Sequence, residues 1–84
     1  MNGWISVKDR LPETKPDEDW FSSKNVLALL KGNYSDGLVT TAFYQHGEDE
    51  DGYKWAQWID CLIYESIDNV THWMPLPEPP KEAV

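Results

Sequence analysis

The sequence predicts a small, mainly β protein: an antiparallel sheet or partly open barrel of about four strands, with a proline-rich C-terminal clasp. Three observations lead there. Residues 26–45 read as a hairpin. The apolar run Val26-Leu27-Ala28-Leu29-Leu30 is followed by Gly32-Asn33-Tyr34-Ser35-Asp36-Gly37, rich in residues that accept positive φ. A β-branched and aromatic run then spans residues 38–45. Two further runs, residues 53–59 and 70–74, have strand composition and polar punctuation between them. Finally, four of the six prolines follow residue 74, and proline cannot continue a central strand.

Taken in order, Trp4-Ile5-Ser6-Val7 is a short strand or extended arm, and Leu11-Pro12 stops any helix beginning there. Residues 13–19 are polar, contain Pro16 and read as a loop, although residues 17–21 can start a helical turn that Ser22-Ser23 dissolve. Within the hairpin, Val26, Ala28 and Leu30 share one face, as do Val39, Thr41 and Phe43 on the partner. Residues 46–52 form a charged loop bracketed by glycines. Trp55 and Trp58 are three apart, so in a strand they face opposite ways and one packs inside. Cys61, Leu62, Ile63 and Tyr64 are apolar in succession, which predicts a short helix or an irregular buried loop; a small α+β variant of the fold would take its helix here. In the last strand Val70, His72 and Met74 share a face opposite Thr71 and Trp73. The chain has no internal repeat and no linker, so residues 1–84 form one domain.

Composition excludes several functions. The 84 residues carry 15 acidic and 7 basic side chains, a net charge of −8, and the cations build no patch. Phosphate binding needs cations that release counterions, so direct nucleic-acid binding is not expected. No apolar stretch is long enough to span a bilayer, and no signal-peptide pattern is present, so no membrane association is expected. Cys61 is the single cysteine, which suits a reducing cytoplasm. Five Trp, four Tyr and two Phe supply the core that so short a chain needs, at roughly 150–250 Å² each when buried.

No catalytic, metal or cofactor site is expected. Cys61, His46 and His72 could combine as nucleophile and base, but Cys61 has no activating cation nearby in sequence. His46 with residues 48–51 offers nitrogen and oxygen ligands. The spacing fails the EF-hand loop, and zinc would want about four well-placed Cys or His donors. The candidate binding surface is aromatic with an acidic rim: Tyr53, Trp55 and Trp58 with Glu48, Asp49, Glu50 and Asp51. Aromatic side chains carry most of the energy at protein interfaces. An exposed Trp could instead stack on a sugar or another small molecule. The acidic clusters at residues 17–19 and 48–51 could also mimic DNA phosphates, if they range along one face. The tail satisfies P-x-x-P between Pro77 and Pro80, so it is either a ligand for an aromatic groove or an internal clasp.

The segments WISVKDRLPE at residues 4–13 and VTHWMPLPEPP at residues 70–80 resemble a family. Its members look like W-I-x-V-x-x-R-L-P at the start and V-T-H-W-M-P-L-P-x-P-P at the end, with a V-L-x-x-type strand and an aromatic strand between. It is a domain of unknown function found in tailed phages, prophages and their bacterial hosts. The resemblance covers nearly the whole chain and implies no catalytic residue. It implies phage or prophage origin and expression inside a bacterium. The favoured reading is a non-enzymatic binding module, an accessory protein that meets a bacterial host protein. A DNA-mimicking inhibitor of a host nuclease and a small-molecule binder are the alternatives. Oligomeric state is not legible. Because both ends carry the family pattern, they are expected to pack together, with Trp73 and the prolines closing the sheet and Trp4 meeting them.

Overall fold

A computed structural model describes residues 3–32 and 36–77. These residues form an all-β half-barrel of eight antiparallel strands, with no helix among them. The strands are β1 (Ile5–Ser6), β2 (Thr14–Asp17), β3 (Trp20–Ser23), β4 (Val26–Lys31), β5 (Asp36–Glu48), β6 (Lys54–Asp60), β7 (Ser66–Ile67) and β8 (Val70–Pro75). The main path runs β1-β8-β4-β5-β3-β2, with β6 and then β7 joined to the other edge of β5.

The expected count of four strands was low because β2 and β3 have little apolar signal. Residues 13–19 are not all loop, and residues 17–21 start no helical turn. Asp17 pairs with Trp20 across a two-residue hairpin turn. Pro16 is accommodated because β2 is an edge strand, whose outward N–H positions need no partner. The turn places Glu18 at φ 55°.

One long strand, β5, organises the sheet. Ala42 pairs with both Val26 and Asp60, so β4 and β6 lie on opposite edges. Farther along β5, β3 takes over the edge that β4 leaves. The handover contains a bulge: Ser22 to Val26 is four steps, against three from Gln45 to Ala42 on the partner. The ladder stays satisfied there, because the Tyr44 N–H donates to Ser23 Oγ at 2.9 Å and that hydroxyl donates to the Lys24 carbonyl at 2.8 Å. The outer neighbours of β4 and β3 meet at the same point. Pro75 ends β8 beside Val26, and Thr14 begins β2 beside Ser23. A proline at the end of β8 therefore vacates the lane that β2 occupies.

Side chains alternate across the pleat, and one face holds the core. Val26, Ala28, Ala42, Tyr44, Trp58 and Trp73 form it, with Ile5, Val7, Ile67 and Val70 at its margin. Large and small residues are matched: Trp73 pairs with Ala28, which is fully buried. Tyr44 and Trp58 pair with ring centroids 5.3 Å apart. Val26, Ala28 and Leu30 are buried on one face as expected. On β5 the core takes Ala42 and Tyr44, so Val39, Thr41 and Phe43 lie on the opposite face with Leu27 and Leu29.

The two end segments that are described meet through β1 and β8, with Ile5 opposite Trp73. Trp73 then fixes the segment after β1: its Nε1–H donates to the Arg10 carbonyl at 2.8 Å, and the Arg10 guanidinium lies 5.8 Å over its ring. Pro12, just beyond, is buried. Pro79 and Pro80 of the expected clasp lie outside the described residues.

Candidate functional site

The aromatic and acidic residues around residue 50 sit on the β5–β6 hairpin, and they play different parts. Asp49 builds the turn. Its Oδ1 accepts the N–H groups of Asp51 and Tyr53 at 3.0 and 2.9 Å, and its own N–H donates to the Tyr53 carbonyl. Gly52, at φ 85°, takes the left-handed position. That arrangement leaves Glu48, Glu50 and Asp51 exposed and Tyr53 72% exposed.

Trp55 and Trp58 separate as their spacing predicts. Trp58 is only 8% exposed and belongs to the core beside Tyr44, so it leaves the candidate surface. Trp55 is half-buried and pairs with Gly47. A methyl group at position 47 would come within 2.8 Å of the Trp55 ring, so the indole lies on the bare glycine backbone.

The register brings in a second turn, the other acidic cluster of the DNA-mimic reading. Trp20 pairs with Gly47 and Phe21 with His46, while Trp55 and Ala56 pair with the same two residues from the other side. The β2–β3 turn therefore ends beside the β5–β6 turn. Residues 17–19 and 48–51, all acidic, share this end of the sheet with Lys54 as the cation among residues 48–55. Trp20 contributes an indole whose Nε1 is buried without an acceptor among the described residues.

An open cleft of about 880 Å³ lies alongside. Phe21, Tyr44, His46 and Trp55 line it together with Asp19 and Glu48. His46 is held by packing: its ring stacks on Phe21 at 5.0 Å and 8°, and its Nε2 is 2.9 Å from Thr14 Oγ1. The three potential reactive residues are dispersed. His72 is in β8, and Cys61 adjoins Thr41, about 17 Å along β5 from His46 at the usual strand rise. Burial, and then the Asp60 carboxylate, push the Cys61 thiol up, away from the reactive thiolate.

Residues 61–64 form neither a helix nor a buried loop. They make an exposed turn, with Leu62 82% and Tyr64 76% exposed. Asp60 causes this. Its Oδ1 accepts the Leu62 N–H at 2.8 Å and its carbonyl accepts the Tyr64 N–H at 2.8 Å, which turns the apolar side chains outward. Tyr64 sits at φ 55° and meets Phe43 edge-on.

The family model of a protein of unknown function, DUF551, matches residues 3–81. The chain belongs to the DUF551 family. No curated protein and no solved structure matches it. The opening and closing segments are joined by Trp73 and Arg10, and Leu11 and Pro12 of the opening one line the cleft. Phe21, Thr14 and residues 17–19 are the neighbours that sequence reading did not attach to the site. Only strand register places them there, and β2 carries too little apolar pattern to reveal it.

Proposed function

We propose that this DUF551 protein is a non-enzymatic protein-binding module, a phage or prophage accessory that docks a basic surface of a bacterial host protein in the cytoplasm. One observation carries the reading: two acidic turns, distant in sequence, converge around Trp55 and Tyr53. Aromatic groups at the centre supply desolvation energy, and carboxylates at the rim steer a cationic partner and exclude anionic ones. The phage or prophage setting rests on the terminal motifs.

The test is capture from bacterial lysate with tagged protein, comparing the parent with a Glu48→Gln, Glu50→Gln, Asp51→Asn variant. Asp49 stays, because it builds the turn. The reading expects a specific host protein that the neutralised variant fails to retain. Equal retention by both would refute the acidic rim.

The same convergence favours a second reading, an acidic mimic of DNA that inhibits a host nuclease or defence complex. Competition separates the two. A mimic is displaced from its partner by duplex DNA, with strong salt dependence, whereas a module docked elsewhere on the partner is not.

A further inference from the structure

We propose that the cleft beside the acidic turns receives an arginine side chain of the partner; this rests on the docking reading above and names the group recognised. The cleft offers both halves of guanidinium chemistry. Phe21, 41% exposed, presents an aromatic ring on the face it shares with Tyr44 and His46, and Asp19 and Glu48 add exposed carboxylates from the two turns. A guanidinium is planar and weakly hydrated, so it stacks on a ring while its N–H fork engages a carboxylate. An ammonium lacks the plane and the fork.

Charge selects the sign of the guest. Seven carboxylates, at residues 17–19 and 48–51, crowd this end, and Lys54 is the single cation lining the cleft among the described residues. Lys54 lies opposite Glu48 in the β5–β6 ladder, and Asp19 lines the cleft from the β2–β3 turn. An anionic guest meets net repulsion, and a neutral one gains hydrogen bonds but no charge attraction from the carboxylates. His46 does not compete for the guest, because its ring face is taken by Phe21 and its Nε2 by Thr14. At about 880 Å³ the cleft admits a long side chain together with its flanking backbone.

The wall is built to stay put. Phe21 stacks on the His46 ring, and His46 Nε2 is anchored 2.9 Å from Thr14 Oγ1. A ring already held in place loses little freedom when a guest stacks on it.

The test titrates the full-length protein with three blocked tripeptides, Gly-Arg-Gly, Gly-Lys-Gly and Gly-citrulline-Gly, and follows the amide signals of Gly47 and Ala56 and the ring signals of Phe21 by NMR. Citrulline keeps the shape of arginine and removes its charge. The arginine peptide is expected to shift these signals saturably and to bind about tenfold tighter than the citrulline peptide, the ratio that cation–π and ion-pair gains together support. The lysine peptide is expected to be weaker than the arginine one. An Asp19→Asn, Glu48→Gln variant, altered only at exposed positions, should lose the preference for arginine over citrulline. Arginine and citrulline peptides acting alike, or neither acting, overturns the proposal, and lysine matching arginine overturns the guanidinium assignment. A silent cleft in a protein that still captures its partner through the acidic rim sinks the arginine assignment and leaves docking intact.

Discussion

Trp73 couples the two ends of the chain, and Trp73→Phe tests how much they depend on it. The substitution keeps an aromatic ring opposite Ala28 but removes the Nε1–H that reaches the Arg10 carbonyl at 2.8 Å. A hydrogen bond of this kind contributes about 1 kcal/mol net, and the bond is only partly buried, so water can recover part of the carbonyl's need. The smaller ring also fills less of the core and offers a weaker face to the Arg10 guanidinium, about 1 kcal/mol more. The sum, about 2 kcal/mol, corresponds to a fall in melting temperature of about 8–16 °C for a domain of this size. Thermal unfolding followed by near-UV circular dichroism reads the shift. Hydrogen exchange at the Val7 amide, which donates to the Thr71 carbonyl across the terminal pairing, should accelerate in parallel. An unchanged melting temperature with unchanged exchange at Val7 would refute the linkage.

Three further outcomes are expected. Glu18→Gly should raise stability by about 0.5–1 kcal/mol, because φ 55° at the first turn position suits glycine and strains a side chain; a chemical denaturation midpoint at or below the parent's contradicts this. The Asp60 carboxyl is held below its ordinary value of 3.8, first by the Leu62 N–H and then by the Thr40 hydroxyl. Its stabilising contribution is thus complete above the ordinary value and disappears as pH falls through the lower folded value; Asp60→Asn should flatten the stability profile in that acid window, and parallel profiles for the two proteins would count against it. Truncation after Met74 removes Pro75 from its place beside Val26 along with the proline tail, and under the clasp proposal it unfolds the domain; a truncated chain that melts like the parent returns the tail to the role of a free ligand.

The β4–β5 hairpin was legible because burial on a pleated surface demands the β-branched and apolar runs that both strands carry. β6 and β8 were legible for the same reason. The β2–β3 hairpin was not: its residues are mostly polar, and β2 lies at an edge where little burial marks it. Residues 61–64 misled in the other direction. Four apolar residues suggested burial, but hydrogen bonds donated by the Leu62 and Ile63 N–H groups to a single Asp60 carboxylate decide which way the turn points. At the candidate site, Tyr53, Trp55 and the rim acids were readable from composition. Spacing put Trp55 and Trp58 on opposite faces, but the β5–β6 register decides that Trp58 is the buried one. The convergence of residues 17–19 with residues 48–51 depends on a pairing between β3 and β5 that no local pattern encodes.

The docking surface is tested most directly by hydrogen–deuterium exchange of the protein alone and bound to the partner it captures. The acidic–aromatic end predicts protection at residues 17–21 and 47–56, where the two turns and Trp55 meet. Protection confined to the exposed Leu62-Ile63-Tyr64 turn, with the acidic end unchanged, would contradict it and move the binding surface to the other end of β6.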